Sequence, residues 1–236
     1  MNSKLKFLSL CALALLAGCE RATEPETSAL APELETRPAV NIDLATIPPL
    51  TPLPGRAEPA PDPGKPELVH FVTDAGDFIV AVYPQAAPNA AERFLHLVDI
   101  GYYNNIPISR VVPGFVAQFG INWREDFRHW RDDHFDDDPT LFAFEPGTMA
   151  FAKAGANINS TQVFINYANN NRLADPQYNF AVFAQVVEGM EVVESFRSVG
   201  DAGGGLDQTR LWNNGAAYLA SLSEKPHTIL TARRIP

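Results

Sequence analysis

Cysteine is almost missing from this chain of 236 residues. The only two are Cys11 and Cys19, both close to the N-terminus. Everything after residue 19 therefore lacks a disulfide, a thiol nucleophile and a thiolate metal site. Positive charge is scarce too: 18 Lys and Arg stand against 28 Asp and Glu, for a net charge of −10. A phosphate-backbone binder needs clustered cations, so nucleic acid is not an expected partner. Long apolar runs are also absent. The longest, Phe7 to Leu16, is too short to span a bilayer as a helix. Aromatic residues are missing from Glu20 to Pro66, where prolines recur instead. Composition alone predicts a disordered, extended tether over 19–66, because such a stretch buries too little apolar surface to offset its ordering entropy.

The N-terminal residues form an export pattern. Lys4 and Lys6 precede the apolar run, and small residues follow it. The junction Leu16-Ala17-Gly18-Cys19 resembles a bacterial lipoprotein signal, with 1–18 removed and Cys19 lipidated; the alternative is an ordinary secretory signal with an incidental cysteine. A lipid-anchored, periplasm-facing protein is expected from this resemblance. Glu20, in place of Asp, favours the outer membrane in a Gram-negative envelope.

The remaining residues, 67–236, have the length of one ordinary domain. Apolar runs at Leu68–Val72 and Phe78–Tyr83 flank the turn Asp74–Asp77 and predict a hairpin. Ala91, Phe94, Leu95 and Val98 predict a helix over Pro88–Ile100, with Pro88 in its first turn and Gly101 past its end. Short strands are expected at 108–112, 115–119, 148–152, 163–166, 182–187 and 228–233, and a second helix at 189–196. This pattern predicts a mostly β barrel or sandwich. Residues 121–140 and 199–226 read as long loops.

One strand carries an anomaly. Arg110 sits in the apolar run Ile108–Val112, and strict alternation puts it on one face with Ile108 and Val112. An unpaired buried guanidinium is costly, so Arg110 needs either a carboxylate partner or a function. The run Ser109-Arg110-Val111-Val112-Pro113-Gly114-Phe115-Val116-Ala117-Gln118, followed by Met149-Ala150-Phe151-Ala152-Lys153-Ala154-Gly155 and Gln162-Val163-Phe164-Ile165, resembles the cyclophilin signature. The resemblance continues at Leu173, Phe180-Ala181-Val182-Phe183 and Val187-Glu188-Gly189-Met190.

That resemblance implies an eight-stranded antiparallel barrel capped by two α-helices, and a monomeric peptidyl-prolyl cis/trans isomerase with no cofactor and no metal. The partners implied are X-Pro segments of unfolded or folding proteins, here in the cell envelope. By the same resemblance Arg110 is the catalytic arginine and Gln118 the glutamine beside it. Phe115, Val116, Phe164, Leu173 and Phe180 form a proline pocket. Ala152, Lys153 and Ala154 pair with the substrate backbone, Lys153 through its backbone groups, and Gln162 faces the peptide. The chain departs from the family pattern at Ser109 for a histidine, at Phe119-Gly120-Ile121 after the glutamine, and at Arg172, where a Trp or Phe often forms the pocket rim. The alternative function is a proline-peptide-binding chaperone or docking module without turnover.

Other motifs carry less. His129, Asp132, Asp133, His134 and Asp136–Asp138 match no zinc or EF-hand spacing and read as a solvated acidic loop. Gly203-Gly204-Gly205 lacks the Lys-Ser/Thr ending of a P-loop and reads as a flexible turn. Asn159-Ser160-Thr161 matches a glycosylation sequon but lies within the signature run, and His96 belongs to the amphipathic helix.

Overall fold

Eight strands close into one antiparallel barrel in a computed structural model that describes residues 42–236. The expected export segment, Cys19 and the tether up to residue 41 lie outside the described residues. The strands are β1 (Glu67–Thr73), β2 (Gly76–Val82), β3 (Ile106–Val112), β4 (Val116–Phe119), β5 (Thr148–Phe151), β6 (Val163–Asn166), β7 (Val182–Glu188) and β8 (Thr228–Ile235). Their order around the barrel is β1-β2-β7-β5-β6-β4-β3-β8, and β8 pairs back onto β1, so no edge is left open. β1 and β2 form the expected hairpin, with Thr73 opposite Gly76 across the turn.

Period-two alternation fills the interior. Val69 and Phe71 of β1, Phe78 and Val80 of β2, Phe119 of β4 and Phe183 of β7 belong to one buried cluster. Phe71 stacks on Phe78 with ring centroids 4.7 Å apart. Helix α1 (Pro88–Asp99) closes one end of the barrel, burying Ala91, Phe94, Leu95 and Val98 at helical spacing. Its first turn has no local side-chain cap. Asp138 supplies one from the 121–140 segment, accepting from the Asn89 and Ala90 N–H groups at 3.2 and 2.8 Å. Helix α2 (Met190–Glu194) follows β7.

Three expectations need correction. The 199–226 segment is not a plain loop. It contains a third helix, α3 (Gln208–Ser221), capped by Asp207, whose side chain accepts from the Arg210 N–H. Leu211, Trp212 and Tyr218 are buried with Ile121, Val199 and Leu206 in a separate apolar cluster. Asn214 breaks the helical geometry (φ −154°, ψ 50°), and the Asn213-Asn214-Gly215 run hides the helix from a periodicity argument. Gly215 is needed there, because a Cβ would lie 2.1 Å from the Trp123 ring.

The tether also ends earlier than composition suggests. Asp43–Pro236 form one compact unit. Leu53 N–H donates to Leu141 O, and Ala143 N–H to Thr51 O. Leu50 is buried, and the Pro48 carbonyl accepts from both the Tyr83 hydroxyl and the Gln185 amide. Prolines lack an N–H but keep a carbonyl, so a proline-rich strap with one apolar anchor packs well, and its stiffness lowers the entropy lost. Third, Arg110 does not share a face with Ile108. The β3/β4 register shifts between Ile108 and Arg110, so Ser109 is an extra residue. Ile108 points into the core while Arg110 faces outward with Val112.

Candidate functional site: an arginine-edged apolar groove

Register across neighbouring strands assembles the site. Arg110 on β3 lies opposite Gln118 on β4, Gln118 lies opposite Phe164 on β6, and Phe164 lies opposite Ala150 on β5. A groove of about 560 Å³ runs over this row on the outside of the barrel. The residues to which the resemblance gives a catalytic or peptide-binding role all border it; Arg172 does not. Phe115, Val116, Phe164, Leu173 and Phe180 make its apolar part, and Phe164 meets Phe180 edge-on at 5.7 Å. Ala152, Lys153 and Ala154 form one bank, and Arg110, Gln118 and Gln162 the polar end.

Arg110 has no carboxylate within ion-pair distance among the described residues. Its Nε donates to the Gly203 carbonyl at 2.7 Å, and its Nη1 to Gln118 Oε1 at 3.3 Å. Its guanidinium carbon lies 5.8 Å from the Phe115 ring centre. Partial burial weakens its hold on its proton relative to a free arginine. The amides continue the chain: Gln118 Nε2 donates to Gln162 Oε1 at 2.9 Å, and Gln162 Nε2 to Gln208 Oε1 at 3.3 Å. Arginine can only donate, so Gln118 must turn its oxygen towards Arg110, which orients the rest of the row.

Lys153 borders the groove, but its ammonium is engaged within the protein. The ammonium is buried against Asp137 at 2.5 Å and donates to the Asn179 carbonyl at 2.9 Å; only 2% of the side chain is exposed. Burial alone would raise the Asp137 pKa, yet hydrogen bonds from Lys153 and from Asn157, Asn159 and Asn179 hold it below the usual aspartate value. The Ala152 N–H is taken by the Gln162 carbonyl. The backbone groups of Lys153 and Ala154 have no backbone partner among the described residues.

Sequence reasoning missed the wall opposite this bank. Gln208, Thr209 and Trp212 of α3 border the groove, as do Arg131, Asp132 and His134 of the acidic segment. The Arg131 guanidinium lies 5.4 Å from the Trp212 ring centre. Only a broken signal was available: Asp207 as a cap, then apolar residues at 211, 212 and 218 interrupted by Asn213-Asn214-Gly215. His129 and His134 do not meet a metal-binding group; no such cluster exists among the described residues.

The architecture and groove define a class: a closed barrel with an external, arginine-edged apolar cleft. Comparison with known proteins agrees. The sequence pattern of the family described as cyclophilin type peptidyl-prolyl cis-trans isomerase matches residues 68–211, and the chain belongs to that family. It is 29% identical over 153 residues to peptidyl-prolyl cis-trans isomerase B of Escherichia coli, covering 60% of this chain and 90% of that protein. It is 35% identical over 130 residues to a peptidyl-prolyl cis-trans isomerase of Rhizopus delemar, covering 53% of this chain but 20% of the relative. The chain thus spans about a fifth of the length of some larger relatives it matches. A crystal structure of a cyclophilin type isomerase from Cryptosporidium parvum has the same fold, with a TM-score of 0.54 at 19% identity, over 72% of this chain and 98% of that one.

Proposed function

We propose that this chain catalyses cis/trans isomerisation of X-Pro peptide bonds, with Arg110 as the residue that acts on the reacting atoms. One observation carries the reading: an arginine fixed by two neutral acceptors, with no carboxylate to silence it among the described residues, at the edge of an aromatic hollow. Amide resonance sets a barrier of about 18–20 kcal/mol to rotation. Twisting the bond removes that resonance and leaves a lone pair on the prolyl nitrogen. A donor placed there gains a strong acceptor only in the twisted state, which is selective stabilisation of the transition state. Arginine stays charged and presents a rigid fork. One charge-assisted hydrogen bond contributes about 1.5–3 kcal/mol. The apolar hollow supplies the remainder by holding the ring, fixing orientation and excluding water. Gln118 orients Arg110; Phe115, Val116, Phe164, Leu173 and Phe180 seat the proline; Ala152–Ala154 and Gln162 hold the peptide backbone.

NMR exchange spectroscopy on an Ala-Ala-Pro-Ala peptide tests this. Wild type should accelerate exchange, and Arg110→Ala should lose at least about tenfold of that acceleration, from the bond energy above. No acceleration by wild type would reject the reading. Peptide affinity without turnover, unchanged in Arg110→Ala, would favour a docking or chaperone module, a reading supported by the α3 wall.

We further propose that the domain works as a lipid-anchored envelope protein on clients folding outside the cytoplasm, since proline isomerisation limits some folding reactions. Lys4, Lys6 and the Leu16–Cys19 junction support this. Cys19→Ser should abolish incorporation of a labelled fatty acid and release the protein from the membrane fraction. Equal labelling of both forms would exclude Cys19 as the site.

A further inference from the structure

A second hollow of about 480 Å³ adjoins the groove, sharing Lys153, Ala154, Leu173 and Phe180 with it and extending past Tyr178. The two are therefore continuous across the Leu173–Phe180 lip. Arg172 stands on the rim of this hollow. Its guanidinium carbon lies 4.7 Å from the Phe115 ring centre, on a side chain exposed to solvent. No carboxylate lies within ion-pair distance of it among the described residues. Asp175, in the same turn, instead accepts from the Gln177 N–H at 3.0 Å. The other cation bordering the hollow, Lys153, is consumed by Asp137. Arg172 is thus the uncompensated charge at this hollow, and Arg110 approaches the same Phe115 ring. Two guanidinia beside one ring, in a protein of net charge −10, make a local positive site on an acidic molecule.

We propose that Arg172 is a specificity-determining residue that favours X-Pro segments carrying a carboxylate side chain directly before or after the proline. This rests on the groove being the proline-peptide site. A proline ring seated against Phe115 and Phe164 puts the adjoining residue at the lip of the second hollow. The guanidinium fork donates two parallel hydrogen bonds to a carboxylate. Contact with the Phe115 face already restricts the arginine, so less rotamer freedom is lost on binding. Its field also draws acidic segments towards a protein whose overall charge repels them.

The test uses the full chain and end-capped tetrapeptides: Ala-Glu-Pro-Ala and Ala-Ala-Pro-Glu, their lysine counterparts, and neutral Ala-Ala-Pro-Ala. Isomerisation is followed by NMR exchange and affinity by chemical-shift titration. At low salt at least one glutamate peptide should exceed its lysine counterpart roughly two- to fivefold in both measures, the range of an exposed ion pair. The ratio should shrink at about 0.5 M salt, approach one in Arg172→Gln and reverse in Arg172→Glu. Equal values for glutamate and lysine peptides in wild type, or a preference that survives in Arg172→Gln, would overturn the proposal. Failure to accelerate the neutral peptide would count against the isomerase reading alone, because the affinity ratio still reports on Arg172.

Discussion

The Gly203 carbonyl accepts a 2.7 Å hydrogen bond from Arg110 Nε, across 93 residues of chain. The tie is built by a turn in which Asp201 and Gly205 pair, while Leu206 N–H donates to the Ser109 carbonyl. Gly205 (φ +76°) lies directly on β3: a Cβ there would sit 2.6 Å from Ser109 O and 2.7 Å from Arg110 Cα. The turn therefore holds the Ser109 carbonyl, in the peptide leading into Arg110, together with the Arg110 guanidinium. Gly205→Ala should push the turn away and free Arg110 to rotate. We expect turnover to fall roughly tenfold or more, the loss of one charge-assisted bond, with kcat affected more than KM. Exchange kinetics read the split, and an unchanged kcat would show that the clamp is dispensable.

The amide row allows a sharper test with no change of size. In Gln118→Glu the carboxylate still accepts from Arg110, but it can no longer donate to Gln162 Oε1. Two acceptors then face each other across what is now a 2.9 Å bond. The new charge also pins the guanidinium in place. Turnover should drop about tenfold at neutral pH and recover partly on acidification, as protonation restores a donor. A pH–rate profile with the same shape as wild type would argue against the row.

The barrel and the groove residues were legible because they lie in contiguous motifs whose spacing survives folding. Gln118 and Phe164 are brought together by register between β4 and β6, and Phe115 is held beside them by the Tyr167 N–H. Their grouping was legible through the resemblance to the cyclophilin signature, since both strands are buried throughout and show no alternation. The direction of Arg110 was not legible. One bulge residue, Ser109, reverses the faces, and nothing in the local composition announces it. The strap at 48–56 was hidden for a different reason: apart from buried Leu50, much of its hold comes from backbone carbonyls and N–H groups, which composition does not reveal. Helix α3 was hidden by Asn214, whose non-helical backbone interrupts the helical period between Trp212 and Tyr218, both buried in the second apolar cluster.

Lys153 and Asp137 make a buried pair, with 2% and 5% of their side chains exposed. Lys153→Met would leave the Asp137 charge stranded and should cost about 3–5 kcal/mol. The double variant Lys153→Met/Asp137→Asn should recover much of that loss. Because the Asp137 pKa is lowered in the folded state, the pair's contribution is present above the ordinary aspartate range and is lost as pH falls through the folded value. Urea denaturation of wild type, Lys153→Met, Asp137→Asn and the double variant at neutral pH measures the difference. Additive effects of the two substitutions would show that the pair is not coupled.

His227 gives the domain a second, higher acid-sensitive point. It is buried at the start of β8, edge-on to Phe196, and its Nε2 accepts from Arg197 Nε at 2.9 Å. An acceptor nitrogen is unprotonated, so the neutral ring carries its proton on Nδ1. Burial first, and then the adjacent Arg197 charge, lower its pKa below the ordinary value of 6.5, against a smaller opposing pull from Asp74. The unfolded chain therefore binds this proton more readily than the folded one, and stability rises with pH across that window. The contribution is complete above about pH 6.5 and is lost progressively as pH falls towards the folded value. His227→Gln keeps an oxygen acceptor for Arg197 without a titrating group. Between pH 7 and pH 5 its denaturation midpoint should decline less than that of wild type. Parallel declines in the two proteins would place the acid sensitivity elsewhere.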